Sequence, residues 1–190
     1  IKIFNKNIGD KAISELEILI EATNIARDLV NEPNSYQNSL QLSDSFKQMS
    51  KMAGFSIEVL KKSKIESLKM GGILAVNKGS IDEPTFSIME YKPKKASNKK
   101  PIVFIGKGVV YDTGGLSLKP TPHSMDSMKC DMAGAAAVAG AIYAIAKAKL
   151  RIHVISIVPS TDNRPGGDAY APGDVIRMFD GTTVEVMNTD

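Results

Sequence analysis

The sequence predicts an α/β fold, with a mixed β-sheet flanked by helices in a layered α/β/α arrangement. Segments with strand character alternate with segments of helical periodicity along the 190 residues. Two of the last apolar segments flank Asp180 and Gly181, a hairpin turn signal, which indicates an antiparallel pair among the strands. The hydrophobic share of 43% and the chain length fit one domain with its own core.

Helical periodicity predicts four helices. Apolar residues recur at helical spacing over residues 13–30, with acidic residues between them, and Pro33 ends this amphipathic helix. A second helix is predicted at 39–51 and a short one at 65–70. The segment 132–148 is rich in alanine, and its small side chains would let a helix pack closely on a sheet.

Short apolar or alternating segments predict the strands. Gly71 and Gly72 are expected to separate the short helix from the strand that follows it. A glycine-rich stretch, 106–115, comes directly after one strand that is apolar throughout. The predicted strands are residues 55–60, 73–76, 86–91, 102–105, 152–158, 175–179 and 183–187.

Composition argues against two classes of partner. The 24 basic and 21 acidic residues give a net charge of +3, and the basic cluster at 92–100 has no interleaved aromatic ring. Nucleic acid is therefore not an expected partner. The apolar stretches at 132–146 and 152–159 are interrupted and fall short of the roughly 18 consecutive apolar residues of a membrane span, so no membrane helix is expected.

Cysteine usage indicates the compartment. Cys130 is the single cysteine and cannot form an internal disulfide, and we expect it to have only a packing role. A lone thiol together with nine methionines fits a reducing environment, which favours a cytoplasmic location. Residues 1–11 show no pattern of a targeting signal.

Charged side chains are concentrated after the apolar strand at 102–105. In open α/β sheets, ligands bind beyond the carboxyl ends of the strands, so this segment is the first place to expect a site. Gly114 and Gly115 allow a tight turn that would crowd these side chains together, and crowded carboxylates need cations. The charged residues are Lys107, Asp112, Lys119, Asp126, Lys129 and Asp131.

The aspartates Asp112, Asp131 and Asp190 are hard oxygen donors that suit divalent metal ions. His123 and His153 have no ligand-like spacing, so a histidine zinc site is not expected. The alternative is that the aspartates are helix caps, turn formers or salt-bridge partners, and that Asp131 is the N-cap of the helix it precedes. The residues alone leave both interpretations open.

Gly106, Lys107 and Gly108 have a third interpretation, as a phosphate-binding loop of a nucleotide enzyme built on residues 106–115. The segment departs from the P-loop pattern Gly-x-x-x-x-Gly-Lys-Ser/Thr, because a glycine follows the lysine and a strand precedes it. Lys107 and Lys119 could equally be surface charges or partners of Asp112.

Two long motifs stand in order at 106–119, GKGVVYDTGGLSLK, and at 125–136, MDSMKCDMAGAA. The chain also contains PGDV at 172–175 and ends with VMNTD at 186–190. The two motifs resemble the core of the leucyl aminopeptidase (M17, cytosol aminopeptidase) family, and the ending resembles the start of that family's Asn-Thr-Asp-Ala-Glu-Gly-Arg signature. The resemblance extends from the helix at residue 13 to the last residue.

The resemblance implies a two-metal aminopeptidase whose metal ligands include Lys107, Asp112, Asp131 and Asp190. Asp112 would bridge both ions, Lys107 would bind one and Asp190 the other. A lysine ligand must be neutral because an ammonium has no lone pair, and burial and adjacent dications favour the neutral form. Lys119 would be the catalytic lysine and should stay charged, polarising the scissile carbonyl or holding the oxyanion.

The resemblance also implies the wider biochemistry. The substrates would be short peptides from which N-terminal residues, leucine among them, are removed. The ions would be Zn²⁺ or Mn²⁺, with Mg²⁺ or Co²⁺ as alternatives, and the full-length protein would use bicarbonate and form a homo-hexamer. The alternative from another functional class is a non-catalytic module, because some relatives bind DNA or act as chaperones.

Two departures from the family pattern matter. The bridging Glu and the bicarbonate-binding Arg of the signature lie beyond Asp190, so we expect the 190-residue chain alone to bind metal weakly and to hydrolyse little. Residues 1–190 are expected to be a partial catalytic domain, beginning with the helix that would join it to an N-terminal domain. The loop at 119–125 is about one residue longer than in some members, which makes the placement of Asp126 less secure than that of Asp131.

Overall fold

The computed structural model describes residues 9–190 of the chain. Most of the segment 1–11, for which no targeting pattern is predicted, therefore lies outside the described residues. The helices are α1 Asp10–Asn31, α2 Ser39–Ala53, α3 Lys62–Ser67, α4 Gly71–Asn77 and α5 Ala133–Lys147, with a 3-10 helix at Met125–Cys130. The strands are β1 Ser56–Leu60, β2 Thr85–Tyr91, β3 Ile102–Ile105, β4 Gly108–Asp112, β5 Val154–Asn163, β6 Val175–Arg177 and β7 Thr183–Glu185.

Five strands form one mixed sheet in the order β1-β2-β5-β3, and β4 pairs with β5 beyond the end of β3. The β1–β2 and β2–β5 pairs are antiparallel, whereas β3 and β4 both run parallel to β5. The predicted fold class is confirmed. The hairpin β6–β7 forms a separate two-stranded sheet, so the antiparallel pairs of the main sheet come from β2 and not from that hairpin.

Helix α2 shows how local sequence sets an element. Asn38 accepts hydrogen bonds from the backbone amides of Leu40 and Gln41, and the Gln41 side chain accepts from the Asn38 amide, which completes a capping box. The helix ends at Gly54, whose φ of 84° is the left-handed conformation that glycine adopts without strain. Its buried face includes Phe46, which is fully enclosed in the core.

Helix α5 is the centre of the core. Its small side chains allow α1 to approach closely: a Cβ added at Gly140 would lie 3.2 Å from the carbonyl oxygen of Ala22. The predicted close packing on the sheet is also observed, since a Cβ added at Gly106, just after β3, would lie 2.6 Å from the carbonyl oxygen of Gly134 in α5. Its fully or almost fully buried side chains are Ala135, Ala136, Ala139, Ile142 and Tyr143.

The 23-residue segment Met125–Lys147 is long and apolar enough to cross a membrane by length and composition alone. The sequence analysis expected no membrane helix because the apolar stretch at 132–146 is interrupted by glycine and falls short of the length of a membrane span. Helix α5 within this segment contacts the sheet and both long N-terminal helices, and 39% of the apolar stretch is buried. A buried core helix satisfies the same compositional test.

Helix α1 is amphipathic, as predicted, but only its C-terminal half is well covered. Ala22 and Leu29 are buried, whereas Leu16 and Leu19 are exposed. A polar contact ties it to α5: the Tyr143 hydroxyl donates to Glu21 Oε1 at 2.8 Å and accepts from Lys147 Nζ at 3.3 Å.

The strand predicted at 73–76 is wrong: these residues belong to helix α4. A four-residue apolar run does not distinguish a buried strand from a short helix. Gly71 and Gly72 are the first two residues of this helix and do not separate it from a strand. Glycine is needed at position 71 because α4 packs so closely on β6 that a Cβ there would overlap the carbonyl oxygen of Arg177.

One strand was not predicted, and the bounds of three others need correction. The glycine-rich stretch 106–115 contains β4, and β5 extends to Asn163 instead of stopping at residue 158. The terminal strands β6 and β7 are each shorter than predicted.

Strand β3 lies at an edge of the main sheet. Within residues 9–190 it pairs only with β5, and Val103 and Ile105 are 47% and 73% exposed.

We expect Tyr143→Phe to lower the free energy of unfolding by about 1 kcal/mol, since it keeps the buried ring and removes both hydrogen bonds of the hydroxyl, the one to the half-exposed Glu21 carboxylate and the one from Lys147. Urea denaturation at neutral pH measures the change. Tyr36→Phe, at a ring that is largely exposed, is the matched control and should be neutral. Equal stability of both variants would show that the Glu21 contact does not stabilise the α1–α5 interface.

Candidate active site

The polar centre of the molecule lies at the carboxyl ends of the parallel strands β4 and β5. Asp112 is the last residue of β4 and is in register with Asn163, the last residue of β5. The ladder is irregular between Val109 and Asp112, which marks a bulge just before the aspartate. This is the position at which α/β sheets bind ligands, and it is where the sequence predicted a site.

Asp112 is buried and its two oxygens face different partners. Oδ1 accepts from the Gly114 amide at 2.9 Å and from Asn163 Nδ2 at 2.8 Å. Oδ2 lies 3.8 Å from Lys119 Nζ. The turn that follows needs both predicted glycines, since φ is 87° at Gly114 and 63° at Gly115.

Lys119 returns from this turn into the carboxylate cluster. Its amide donates to the Thr113 carbonyl at 2.9 Å, and its side chain, 14% exposed, forms a short hydrogen-bonded ion pair with Asp190 Oδ1. The hydrogen bond to Asp190 raises the pKa of Lys119, against the lowering effect of burial, and the charges of Asp112, Asp190 and Asp131 raise it further. The surrounding carboxylates therefore favour the ammonium form of Lys119.

Asp131 and Lys107 form a second ion pair in the site. Lys107 Nζ lies 2.9 Å from Asp131 Oδ2, but the contact lacks hydrogen-bond alignment and leaves this buried oxygen without a hydrogen-bond donor. Burial raises the pKa of Asp131, Lys107 lowers it, and the neighbouring Asp112 raises it again. The Lys107 side chain is 59% exposed, so the burial that we expected to favour its neutral form is not observed.

The N-cap alternative for Asp131 is not what the fold shows. Asp131 ends the 3-10 helix, and α5 begins after Met132 without a side-chain cap. The start of α5 is held instead by the backbone, because the Ala135 amide donates to the Lys107 carbonyl at 2.9 Å. Asp131 is thus free of a capping role and belongs to the carboxylate cluster.

The phosphate-loop alternative also conflicts with the packing. A Cβ at Gly106 would lie 2.6 Å from the Gly134 carbonyl oxygen, and one at Gly108 would lie 2.5 Å from that of Pro159. These glycines allow β3 and β4 to pack against α5 and β5. Close backbone packing within the fold therefore explains why glycine occupies positions 106 and 108, and a bound phosphate is not needed to explain it.

The segment that carries Asp190 is docked firmly on the turn after β4. Thr189 is buried, its hydroxyl donates to the Gly114 carbonyl at 2.7 Å, and that hydroxyl accepts from the Ser117 amide at 2.8 Å. The Thr189 carbonyl accepts from the Tyr170 hydroxyl at 2.9 Å and from Asn163 Nδ2 at 2.7 Å. Burial, followed by the charges of Asp112 and Asp190, raises the pKa of Tyr170.

Other charged candidates from the sequence lie apart from this cluster. Asp126 accepts from the His123 amide at 3.3 Å, and Lys129 Nζ donates to the Asn31 carbonyl at the end of α1 at 2.6 Å. His153 contacts Glu90 at 2.7 Å just before β5, which is the opposite end of that strand from the site.

Sequence reasoning missed Asn163, Thr189 and Tyr170 as site residues. A signal for Asn163 existed, since a polar Thr-Asp-Asn run follows an apolar strand, but the predicted strand ended at residue 158 and hid its position at the sheet edge. Thr189 lies within the motif at 186–190, but only the aspartate that follows it was proposed as a site residue, and Tyr170 has no local signal.

The donor chemistry fits a hard or borderline divalent cation. Asp112, Asp131 and Asp190 gather around two lysines, so three carboxylates face two ammonium groups and leave the cluster with excess negative charge. Asp131 Oδ2 is a buried oxygen that lacks a hydrogen-bond donor. Across residues 9–190, however, no three His, Cys, Asp or Glu side chains meet as a ready ligand set: Asp131 pairs with Lys107, whereas Asp112 and Asp190 share Lys119.

The catalytic-domain profile of the cytosol aminopeptidase family (M17) matches residues 24–190, and the chain belongs to this family. A probable cytosol aminopeptidase of Chloroherpeton thalassium is 51% identical over 174 residues, covering 92% of this chain and 34% of the relative. One of Chlorobaculum parvum is 53% identical over 167 residues, covering 88% and 33%. The chain therefore spans about a third of the length of these relatives.

A solved structure agrees with the family assignment. The bottromycin maturation enzyme BotP in complex with Mn superposes with a TM-score of 0.88 at 36% identity, over 94% of this chain and 38% of that one. The mixed α/β layers described above are thus shared with this maturation enzyme.

We expect Gly114→Ala to destabilise the fold by about 2 kcal/mol or more, because the residue has positive φ and a Cβ would overlap the Ser117 carbonyl oxygen. Thermal or urea denaturation measures the loss. Gly167→Ala is the control, since a Cβ there meets nothing within 4 Å. A neutral Gly114 variant would mean that the turn after β4 is not held in the described conformation.

Proposed function

We propose that the protein carrying this chain is a metal-dependent aminopeptidase that removes N-terminal residues, leucine among them, from short peptides. The observation that carries the proposal is the gathering of Asp112, Asp131 and Asp190 with Lys107 and Lys119 at the carboxyl edge of the sheet. Family membership supports the reaction class. On this proposal, residues 1–190 are part of the catalytic domain, and α1 begins where an N-terminal domain would join.

Lys107, Asp112, Asp131 and Asp190 are the residues that would hold two divalent ions. Zn²⁺ and Mn²⁺ are the proposed ions, with Mg²⁺ and Co²⁺ as alternatives, and Mn in the related BotP structure supports this choice. When bound, such ions lower the pKa of a coordinated water and polarise a carbonyl. Because Lys107 is exposed and paired with Asp131, it must lose its proton and change partner to become a ligand.

Lys119 has a different role in this proposal. Its raised pKa keeps it cationic, and its side chain is mostly enclosed beside Asp112 and Asp190. A fixed ammonium in a sheltered site stabilises negative charge that develops on a substrate oxygen more strongly than an exposed one. Lys119 would therefore orient the scissile carbonyl and hold its oxygen as charge builds there.

The family resemblance extends the proposal to the full-length protein. We infer a cytoplasmic homo-hexamer that uses bicarbonate as a proton carrier, bound by an arginine downstream of Asp190. A non-catalytic binding module is the alternative, and metal-dependent peptide hydrolysis distinguishes the two.

In the full-length protein, we expect Asp112→Ala to abolish metal binding and activity together, because it removes the proposed bridging ligand. Lys119→Met should lower kcat by about 10²- to 10³-fold with metal occupancy nearly unchanged, since a lost oxyanion donor costs this much. Mn²⁺-dependent hydrolysis of leucine amide and metal analysis by atomic absorption give the two readouts.

Lys129→Met is the matched control for the lysine substitution, because Lys129 contacts only the end of α1. It should leave both readouts unchanged. If Lys119→Met loses metal as completely as Asp112→Ala, the assignment of Lys119 to the substrate is wrong.

The 190-residue chain on its own is expected to bind Mn²⁺ weakly and to hydrolyse leucine amide slowly, because the family's bridging glutamate would be missing from its site. Isothermal titration with Mn²⁺ and a matched assay of the full-length protein test this. A stoichiometric, tightly held metal pair in the 190-residue chain would refute it.

A further inference from the structure

We propose that Asn163 is a positioning residue that locks Asp112 and the segment of Asp190 into one geometry before any ion binds. The inference rests on the proposed metal function, because it assigns Asn163 to the support of two proposed ligands. The Asn163 side chain donates to Asp112 Oδ1 and to the Thr189 carbonyl, and it makes no hydrogen bond to Asp112 Oδ2 or to Lys119. Its effect on metal binding would therefore be exerted through Asp112 and through the segment that carries Asp190.

A single amide group joins the two chain segments. Asn163 Nδ2 donates to Asp112 Oδ1 at 2.8 Å and to the Thr189 carbonyl at 2.7 Å. Both partners are acceptors, so the nitrogen of the amide must face them and the orientation of the side chain is fixed by chemistry. The two hydrogen bonds therefore couple the end of β4 to the residue that precedes Asp190.

The backbone of Asn163 is held as firmly as its side chain. Its carbonyl accepts from the Thr113 amide at 3.0 Å and from the Thr113 hydroxyl at 2.8 Å, and the residue is buried. Asn163 is thereby fixed across from Asp112 by the parallel pairing of β4 with β5 and by Thr113, the residue that follows Asp112. A side chain anchored in this way restricts the rotation of the carboxylate that it contacts.

The contact also selects which Asp112 oxygen is available. Asn163 Nδ2 and the Gly114 amide both occupy Oδ1, which leaves Oδ2 on the side of Lys119. Hydrogen-bonded partners of this kind orient ligating carboxylates and tune their affinity for metal. Asn163 thus determines which carboxylate oxygen points toward the centre of the site.

The oxygen of the Asn163 side-chain amide explains why residue 115 must be glycine. Asn163 Oδ1 is buried without a hydrogen-bond donor, and a Cβ at Gly115 would lie 2.8 Å from it. The amide is therefore confined between its two acceptors and the glycine turn. Replacement by aspartate keeps the shape but places a carboxylate oxygen against Asp112 Oδ1 and the Thr189 carbonyl, where two hydrogen bonds become two repulsions.

The test is the affinity for Mn²⁺, measured in the full-length protein by chelator competition and electron paramagnetic resonance. We expect Asn163→Asp to weaken Mn²⁺ binding by about 10- to 100-fold, the usual effect of removing a group that supports a ligand. Asn163→Ser, which removes both donations without adding charge, should weaken it by about 10-fold and serves if the aspartate variant does not fold.

Asn77→Asp is the matched control. Asn77 is as buried as Asn163 and its Nδ2 also bridges two acceptors, the Asp82 carbonyl at 2.8 Å and Thr161 Oγ1 at 3.1 Å, but it contacts no proposed ligand. It should lower Tm without changing the affinity for Mn²⁺. This separates a positioning role from a general loss of stability.

The possible results separate a failure of the positioning role of Asn163 from a failure of the proposed aminopeptidase function. If the wild-type protein binds Mn²⁺ and a folded Asn163 variant binds it with unchanged affinity, the positioning role of Asn163 is wrong but the proposed function stands. Wild-type protein that neither binds Mn²⁺ nor hydrolyses leucine amide overturns the proposed function and the inference with it. An Asn163 variant that loses affinity no more than Asn77→Asp also overturns the positioning role.

Discussion

Parallel pairing of the end of β4 with the end of β5 is the constraint on which the rest of the site depends. It sets Asp112 opposite Asn163, and the glycine turn that follows can then return Lys119 to the same place. The segment at Thr189 docks on that turn through its buried hydroxyl. If the register slipped by one residue, Asp112 would face the other side of the sheet and each of these contacts would be lost.

The electrostatics of the site are those of a cluster that needs positive charge. Three carboxylates close together repel one another, and the raised pKa of Asp131 reflects burial and the proximity of Asp112. Lys119 and Lys107 supply the compensating charge, one enclosed and one largely exposed. The exposed lysine is paired with Asp131 alone, whereas the enclosed one faces both Asp112 and Asp190.

The sequence was informative where chemistry is local. The start of α2, the alanine-rich helix α5 and the glycine pair at Gly114 were predicted, because propensity and conformational freedom act within a few residues, whereas the Asn38 cap of α2 was not. Motif resemblance predicted the family, which the comparisons confirm.

Other features depend on contacts between distant segments. Helix α4 was mistaken for a strand because its glycines matter only through their contact with β6. Asn163 escaped notice because its role requires a neighbour on another strand and a backbone carbonyl near residue 189. The specific ligand roles of Lys107, Asp112, Asp131 and Asp190 remain predictions from the family pattern.

The exposed edge of β3 affects how the 190-residue chain should behave in solution. Its outward backbone groups and the apolar side chains of Val103 and Ile105 form a template on which another extended segment can add by hydrogen bonding. Such a segment can come from a second copy or from polypeptide outside these 190 residues. Self-association through this edge would make the apparent stability of the isolated chain depend on its concentration, so stability should be compared between variants only at matched dilution.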